Sequence, residues 1–206
     1  MFVIVEGSNG SGKTTLINNL GELGYKTLSS PNGTDLAKMI RPACRGEGKW
    51  SDIDKSVQFL LFSAARYDEY VRLVKDSEDV VVADRWWTST YVYQCILQGM
   101  SVDFMEYTIH NEEKVDLVIL LDGDDDVLIE RMRKERLANP KHGECTWTKD
   151  EEALRNLMRI YREDLPKYLE SKGIKVVRID TTKRSQEEVL NYARLLISDI
   201  SKGEGN

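Results

Sequence analysis

Cysteine, histidine and proline are all scarce in this chain: three, two and four among 206 residues. Cys44, Cys95 and Cys145 are odd in number, far apart and without metal-ligand spacing. They argue against a disulfide framework and suit a reducing cytosol as buried or idle thiols. His110 and His142 stand alone and read as surface or packing residues. Long apolar runs are missing too, since none approaches the roughly 20 residues that span a bilayer. The N-terminus enters "FVIVEG" with no basic stretch or cleavage site, so no secretory signal is expected. Positive charge is in deficit. With 29 Lys and Arg against 35 Asp and Glu the net charge is −6, which disfavours nucleic acid as a partner and makes any basic site local. Neither nucleic acid nor membrane is an expected partner, and a cytoplasmic location is.

What is present is ordinary for a globular protein: 41% apolar and 31% charged residues, in a chain long enough for one good core, or for one core with a mobile insertion. Short apolar runs alternate with helical periodicity. "FVIVE" (2–6), "DVVVAD" (79–84) and "VDLVILLD" (115–122) read as strands buried on both faces; "KTLS" (26–29) and "IKVVRID" (174–180) complete a set of five. Helices are expected after residue 13, ending near Gly24, and over 35–44, 55–75, 88–98, 103–112 and 126–136. Thr148 with Glu151 reads as a capping box opening a helix to about 170, and Ser185 with Glu188 as another opening the last helix. Five strands interleaved with helices predict an α/β fold, a mostly parallel sheet covered on both faces by helices, in a single domain over 1–206. "LANPKHGECTW" (137–147) breaks the rhythm and reads as a lid loop. The acidic stretch 99–113 has no functional reading.

The chemistry starts at "GSNGSGKT" (7–14). Gly7, Gly12, Lys13 and Thr14 match G-x-x-x-x-G-K-[ST], with an expected strand before and a helix after. Glycines let successive amides turn inward around a phosphate, and the helix N-terminus adds partial positive charge. Ser8, Asn9, Gly10, Ser11, Gly12, Lys13, Thr14 and Thr15 are therefore the expected ATP-binding residues. Lys13 addresses the β/γ-phosphates and the Thr14 hydroxyl ligates Mg²⁺. A GTPase would need Asp-x-x-Gly and Asn-Lys-x-Asp, and neither occurs. Asp84-Arg85 instead places a carboxylate and a guanidinium at the end of a strand, where open α/β sheets bind ligands. Arg131, Arg133, Lys134 and Arg136 lead into the lid, and Arg131 falls on a partly inward face. Both features favour phosphoryl transfer to a second substrate.

Taken in order, "VIVEGSNGSGKTTL", "SPNGT…IR", "LLFSAAR" and "DRWWTSTYVYQ" resemble the thymidylate kinase family of P-loop nucleoside monophosphate kinases. Phe-x-x-x-Arg on the long helix and Asp-Arg-x-x-x-Ser-x-x-x-Tyr-Gln are more specific than the phosphate loop, and the resemblance spans about residues 2–180. It implies a P-loop fold with a lid, built on a doubly wound, five-stranded parallel sheet flanked by helices and usually a homodimer, that transfers the ATP γ-phosphate to dTMP. It implies that Arg85 holds the acceptor phosphate with Arg41 as second clamp, and that Asp84 sits near Mg²⁺. Phe62 would stack on the pyrimidine and Arg66 would donate to its O4. Ser89, Thr90 and Gln94 would line the base, Tyr93 would crowd the sugar 2′ position, Pro31 would wall the pocket, and Arg131 would contact phosphates during transfer. Each has a bland competitor: Phe62, Tyr93 and Trp86 as core, Arg41 as surface.

The departures gather on the acceptor side. Asn9 stands where the family usually has Asp near the sugar 3′-hydroxyl, Ser29-Ser30-Pro31 where it has Arg-Glu-Pro, and Ala65 where it has Asp. Gly10 replaces the loop arginine of one subgroup, so the catalytic charge would come from the lid, with Arg133, Arg136 and Lys141 all open. These changes keep two alternatives alive: a kinase for another deoxynucleoside monophosphate such as dUMP, and a nucleotide-binding regulator. A deoxynucleoside kinase would show Glu-Arg-Ser where this chain has Asp84-Arg85-Trp86.

Overall fold

The computed structural model describes residues 1–109, 114–138 and 150–203. Five strands form one parallel sheet: β1 (Phe2–Glu6), β2 (Lys26–Ser29), β3 (Val81–Asp84), β4 (Leu117–Asp122) and β5 (Val176–Asp180), in the order β2-β3-β1-β4-β5. Burial follows that order. Every residue of β1 and β4 is buried, while the edge strands β2 and β5 are mostly half-buried or exposed. Continuous Val, Ile and Leu in the inner strands is the pattern of a sheet covered on both faces. In register, Ser29 of β2 lies beside Asp84 of β3, and Asp122 of β4 beside Asp180 of β5.

The chain divides into two compact units. The first comprises Met1–Ile4 and Gly24–Asp116. Its helices are α2 (Asp35–Cys44), α3 (Lys55–Glu69), α4 (Trp87–Thr90) and α5 (Val102–Thr108). Thr34 caps α2 by accepting from Ala37 N at 3.1 Å, and Asp54 caps α3. The helix expected over 55–75 is α-helical only to Glu69 and continues as a π-helical turn, Tyr70–Val74, closed by Lys75 N on Tyr70 O at 2.9 Å. A second π-helical stretch, Tyr91–Leu97, follows α4 directly. The core gathers Val3, Ile4, Phe59, Ala65, Val82, Trp86, Trp87 and Met105, with the Phe2 ring against the edge of Trp86 at 5.2 Å. The helix expected over 103–112 ends at Thr108, and residues 110–113 lie outside the described residues.

The second unit comprises Val5–Leu23 and the chain from Leu117 onward. It holds α1 (Lys13–Glu22), α6 (Asp125–Ala138), α7 (Glu151–Arg159), α8 (Leu165–Ser171) and α9 (Gln186–Gly203), with a π-helical link, Ile160–Asp164, between α7 and α8. The capping box at α9 forms in both directions: Ser185 N donates to Glu188 Oε2 at 2.7 Å, and Glu188 N to Ser185 Oγ at 3.2 Å. At α7 the cap is Asp150, which accepts from Ala153 N at 2.7 Å; Thr148, the residue expected there, lies outside the described residues. Leu128, Ile129, Met132, Leu154 and Met158 form one buried cluster joining α6 to α7. Of the lid stretch 137–147, only 137 and 138 are described, both at the end of α6.

Candidate functional site

In the second unit, the phosphate loop leaves β1 and ends at α1. Gly7, Gly10 and Gly12 have φ of 145°, 78° and 92°. At two of them space matters as well. A Cβ on Gly7 would overlap the Leu121 carbonyl oxygen, and one on Gly10 the Leu128 carbonyl oxygen. The loop thus lies directly on the backbone of β4 and α6, which only glycine permits. Ser8 and Ser11 are buried and Asn9 and Thr15 half-buried, while Gly12 and Thr14 are exposed at the helix start. Lys13 is 7% exposed, and its Nζ donates to Gly7 O at 2.9 Å and Ser8 O at 2.7 Å. The ammonium is thus held against the carbonyls of its own loop.

Arg131 projects from α6 to the segment after β5. Its Nη1 donates to Thr181 Oγ1 at 3.2 Å and its Nη2 to Thr181 O at 3.1 Å. Thr181 N in turn donates to Asp122 O at 2.8 Å. Asp122 itself is buried, receiving Arg162 Nε at 2.9 Å, Arg162 Nη2 at 3.1 Å and Arg178 Nη2 at 2.7 Å. The Asp122 carboxylate, and then Asp125, raise the Arg162 pKa beyond its ordinary value. Nearby, Arg133 pairs with Glu151 at 3.0 Å, and Arg155 with Glu151 and Asp126, tying α6 to α7. Of the three candidate lid charges, Arg133 is committed to that tie, and Lys141 lies outside the described residues; Arg136 is placed at the end of α6.

In the first unit, Asp84 ends β3, and its Oδ1 is buried with no hydrogen-bond partner among the described residues. An orphaned carboxylate oxygen is costly unless something outside the protein addresses it, so the residue fits a cation or a cation-bound water. Arg85 follows with φ 67°, the one non-glycine residue of positive φ among the described residues. Its Nη1 donates to Ser89 Oγ at 3.1 Å and its guanidinium carbon lies 5.7 Å from the Tyr93 ring centre. Arg85 is therefore in contact with two other predicted acceptor residues. Thr90 and Gln94 are buried on the same α4–π stretch, a kind of helix irregularity frequent at functional sites. Arg66 is only 2% exposed. Phe62 is half-buried, and the aromatic that fills the α3 core is Phe59, stacked on Phe104 at 5.1 Å. Arg41 is half-buried in the last turn of α2, and no carboxylate pairs with it among the described residues. Pro31 follows a cis peptide bond.

One participant escaped the sequence reading. Glu69, the last residue of α3, is fully buried, and its carboxylate receives Ser30 Oγ at 2.6 Å, Asn32 N at 2.8 Å and Gly33 N at 2.6 Å. Burial pushes its pKa up, against the pull of the Ser30, Gly33 and Asn32 donors. The signal was its place on the helix: Phe59, Arg66 and Glu69 fall on one buried stripe, so an acid there must be matched from elsewhere. The two described cysteines, Cys44 and Cys95, are buried, which pushes each thiol up to about 11 and leaves them unreactive.

A family model described as thymidylate kinase matches residues 5–191. Among curated proteins, the chain is 30% identical over 195 residues to a probable thymidylate kinase of Methanocaldococcus jannaschii, covering 93% of this chain and 92% of that one. It is 32% identical over 148 residues to the thymidylate kinase of Acholeplasma laidlawii, 66% of this chain and 72% of the other. It is 37% identical over 134 residues to a probable thymidylate kinase of Methanococcus maripaludis, 64% of each chain.

Proposed function

This chain belongs to the thymidylate kinase family, and from that premise we propose that the residues described above transfer the γ-phosphoryl group of ATP to dTMP, giving dTDP and ADP. Such transfer runs through a loose transition state with charge spread over the phosphoryl oxygens, so the protein's work is positioning and charge neutralisation. No covalent intermediate is required. The amides of residues 8–15 cradle the ATP phosphates, and Lys13 exchanges its contacts with the Gly7 and Ser8 carbonyls for phosphate oxygens. The Thr14 hydroxyl and Asp84 Oδ1 are the oxygens we assign to Mg²⁺, which supplies charge neutralisation when bound.

On the acceptor side, Arg85 takes the 5′-phosphate of dTMP, with Arg41 as second clamp. Phe62 stacks on the base, Arg66 donates to its O4, and Pro31, Ser89, Thr90 and Gln94 line the pocket. Tyr93 crowds the 2′ position, and Asn9 accepts from the 3′-hydroxyl. Arg131 contacts phosphates during transfer. The observation that carries this reading is Arg85: a guanidinium held by Ser89 and Tyr93 on a backbone at φ 67°, a conformation kept against its cost.

We read residues 1–206 as one kinase domain that works in the cytoplasm as a homodimer. No helix among the described residues is long and apolar enough to cross a membrane. Val57, Leu60, Ala64, Tyr67 and Val71 are all exposed along α3 and its π turn, at alternating spacings of three and four. Such a stripe supports helix-to-helix pairing of two copies. The test of the reaction is ADP formation from ATP with dTMP, dUMP, dCMP, dGMP, thymidine and water as acceptors. We expect dTMP to be fastest; a preference for thymidine or water would overturn the reading, and one for dUMP would reassign the acceptor.

A further inference from the structure

We propose that Glu69 is a positioning residue for the acceptor side: its buried carboxylate sets the Ser30–Gly33 loop, and thereby acceptor affinity, without touching a nucleotide. The inference rests on the roles given above to Pro31, Arg66 and Arg85. Each backbone N–H donor of residues 30–33 has a partner. β2 ends at Ser29 and α2 starts at Asp35, so residues 30–33 have no ladder or helix to satisfy them. Pro31 has no N–H. Asn32 N and Gly33 N both donate to Glu69 Oε1, Ser30 Oγ donates to Glu69 Oε2, and Ser30 N donates to Asp84 O at 3.2 Å. Every one of these donors is thus spent on Glu69 or on the residue before Arg85.

The loop therefore spans two acceptor elements, the helix that carries Phe62 and Arg66 and the strand end that carries Arg85. Space agrees. A Cβ on Gly33 would overlap Leu28 Cδ1 and lie 2.9 Å from Leu73 Cδ1 and 3.2 Å from Glu69 Oε1, so any side chain at position 33 would have to displace the leucine ends packed beside Glu69. A fully buried carboxylate is a costly way to hold an ordinary turn. Its return is a loop whose geometry does not drift, which the wall of a base pocket needs.

The experiment is steady-state kinetics of Glu69→Ala, Glu69→Gln and Ser30→Ala, with the acceptor that the wild type phosphorylates fastest. If that acceptor is not dTMP, the proposed function fails while this inference is still read. Glutamine keeps all three contacts, since its carbonyl accepts from Asn32 and Gly33 and its amide donates to Ser30 Oγ. Glu69→Ala is expected to raise the acceptor KM about tenfold or more, the effect of stranding buried amides. It should leave the ATP KM within about twofold, and Glu69→Gln should restore near-wild-type values for both. Ser30→Ala is expected to shift the acceptor KM alone, by less. Equal changes in both KM values, no change in either, or a glutamine variant as damaged as the alanine one would overturn the proposal. Should Glu69→Ala fail to fold, Ser30→Ala decides: a selective rise in acceptor KM supports the positioning role, and an unchanged one removes it.

Discussion

The Arg85 guanidinium donates to the Ser89 hydroxyl at 3.1 Å, one helical turn along, and does so from a backbone at φ 67°. For a residue with a side chain that conformation costs about 1–2 kcal/mol. Glycine would relieve it. Arg85→Gly is therefore expected to leave thermal stability unchanged or raised by about 1 kcal/mol, while turnover with the acceptor falls at least about a hundredfold. Thermal unfolding and ADP release measured on the same preparation check both halves. A large loss of stability would mean that Arg85 serves the fold instead. Arg85→Lys keeps the charge but not the planar fork, and should recover little of the rate.

Lys13→Met keeps the aliphatic stem and removes the charge. Because Nζ donates within its own phosphate loop, to the Gly7 and Ser8 carbonyls and to Ser11 Oγ, the secondary structure by circular dichroism should be unchanged. Turnover should fall about a thousandfold or more, the scale of removing a transition-state charge contact. A variant with near-normal rate would end the role assigned to Lys13.

Asp122 is expected to be the most sensitive charged position in the second unit. Removing it takes the buried partner from Arg178 and leaves Arg162 to Asp125 and the Gly123 carbonyl. Asp122→Ala should cost about 3 kcal/mol, read as a lower urea midpoint at unchanged slope. Combined with Arg162→Met, the loss should be less than the sum of the two single losses, because both changes remove the same Asp122–Arg162 contact.

Glu69 should titrate against the trend of the other carboxylates. Burial lifts its folded-state pKa above the unfolded value, so the native state binds the extra proton in the window between them. Stability from this group is full below the ordinary carboxylate value, about 4.3, and declines as pH rises through the folded value. Asp68, held low by Thr34 and then Arg72, and Glu151, held low by Arg155 and then Arg133, behave oppositely and lose their contribution as pH falls. Urea unfolding of wild type and Glu69→Gln from about pH 4 upward should show the wild type losing ground as pH rises. A difference that stays constant with pH would show that the carboxyl is not shifted.

The exposed stripe on α3 predicts a monomer when it carries charge. Leu60→Lys should convert the sedimenting species from dimer to monomer without loss of helical signal, since Leu60 is 48% exposed in the single chain. A wild type that sediments as a monomer would remove the dimer reading outright.

Much of this molecule was legible without coordinates, and the reason is local. A phosphate loop works through backbone conformation, so Gly7, Gly12 and Lys13 had to appear in one short run. Strands buried on both faces had to be apolar throughout, which placed β1 and β4 within two residues of their observed ends. The Ser185–Glu188 box is a contact over three residues and formed as read. Helical periodicity, by contrast, put Phe59 and Phe62 on the same helix but could not say that one fills the core and the other stays half-exposed. Nor does it separate an α-helix from a π turn, so the change of pitch at Tyr70 was invisible.

What the amino-acid sequence by itself determined was the inventory: a nucleotide loop, an acid–arginine strand end, an aromatic and an arginine one turn apart, and five strands to carry them. What only the tertiary structure decided was pairing across long separations. Glu69 meets Ser30, Asn32 and Gly33, Arg131 meets Thr181, and Asp122 meets Arg162. The physical reason is that a buried charge has to find its partner in space. Several partners along the chain would satisfy the chemistry equally, and the packing of helices on the sheet selects which of them is within reach.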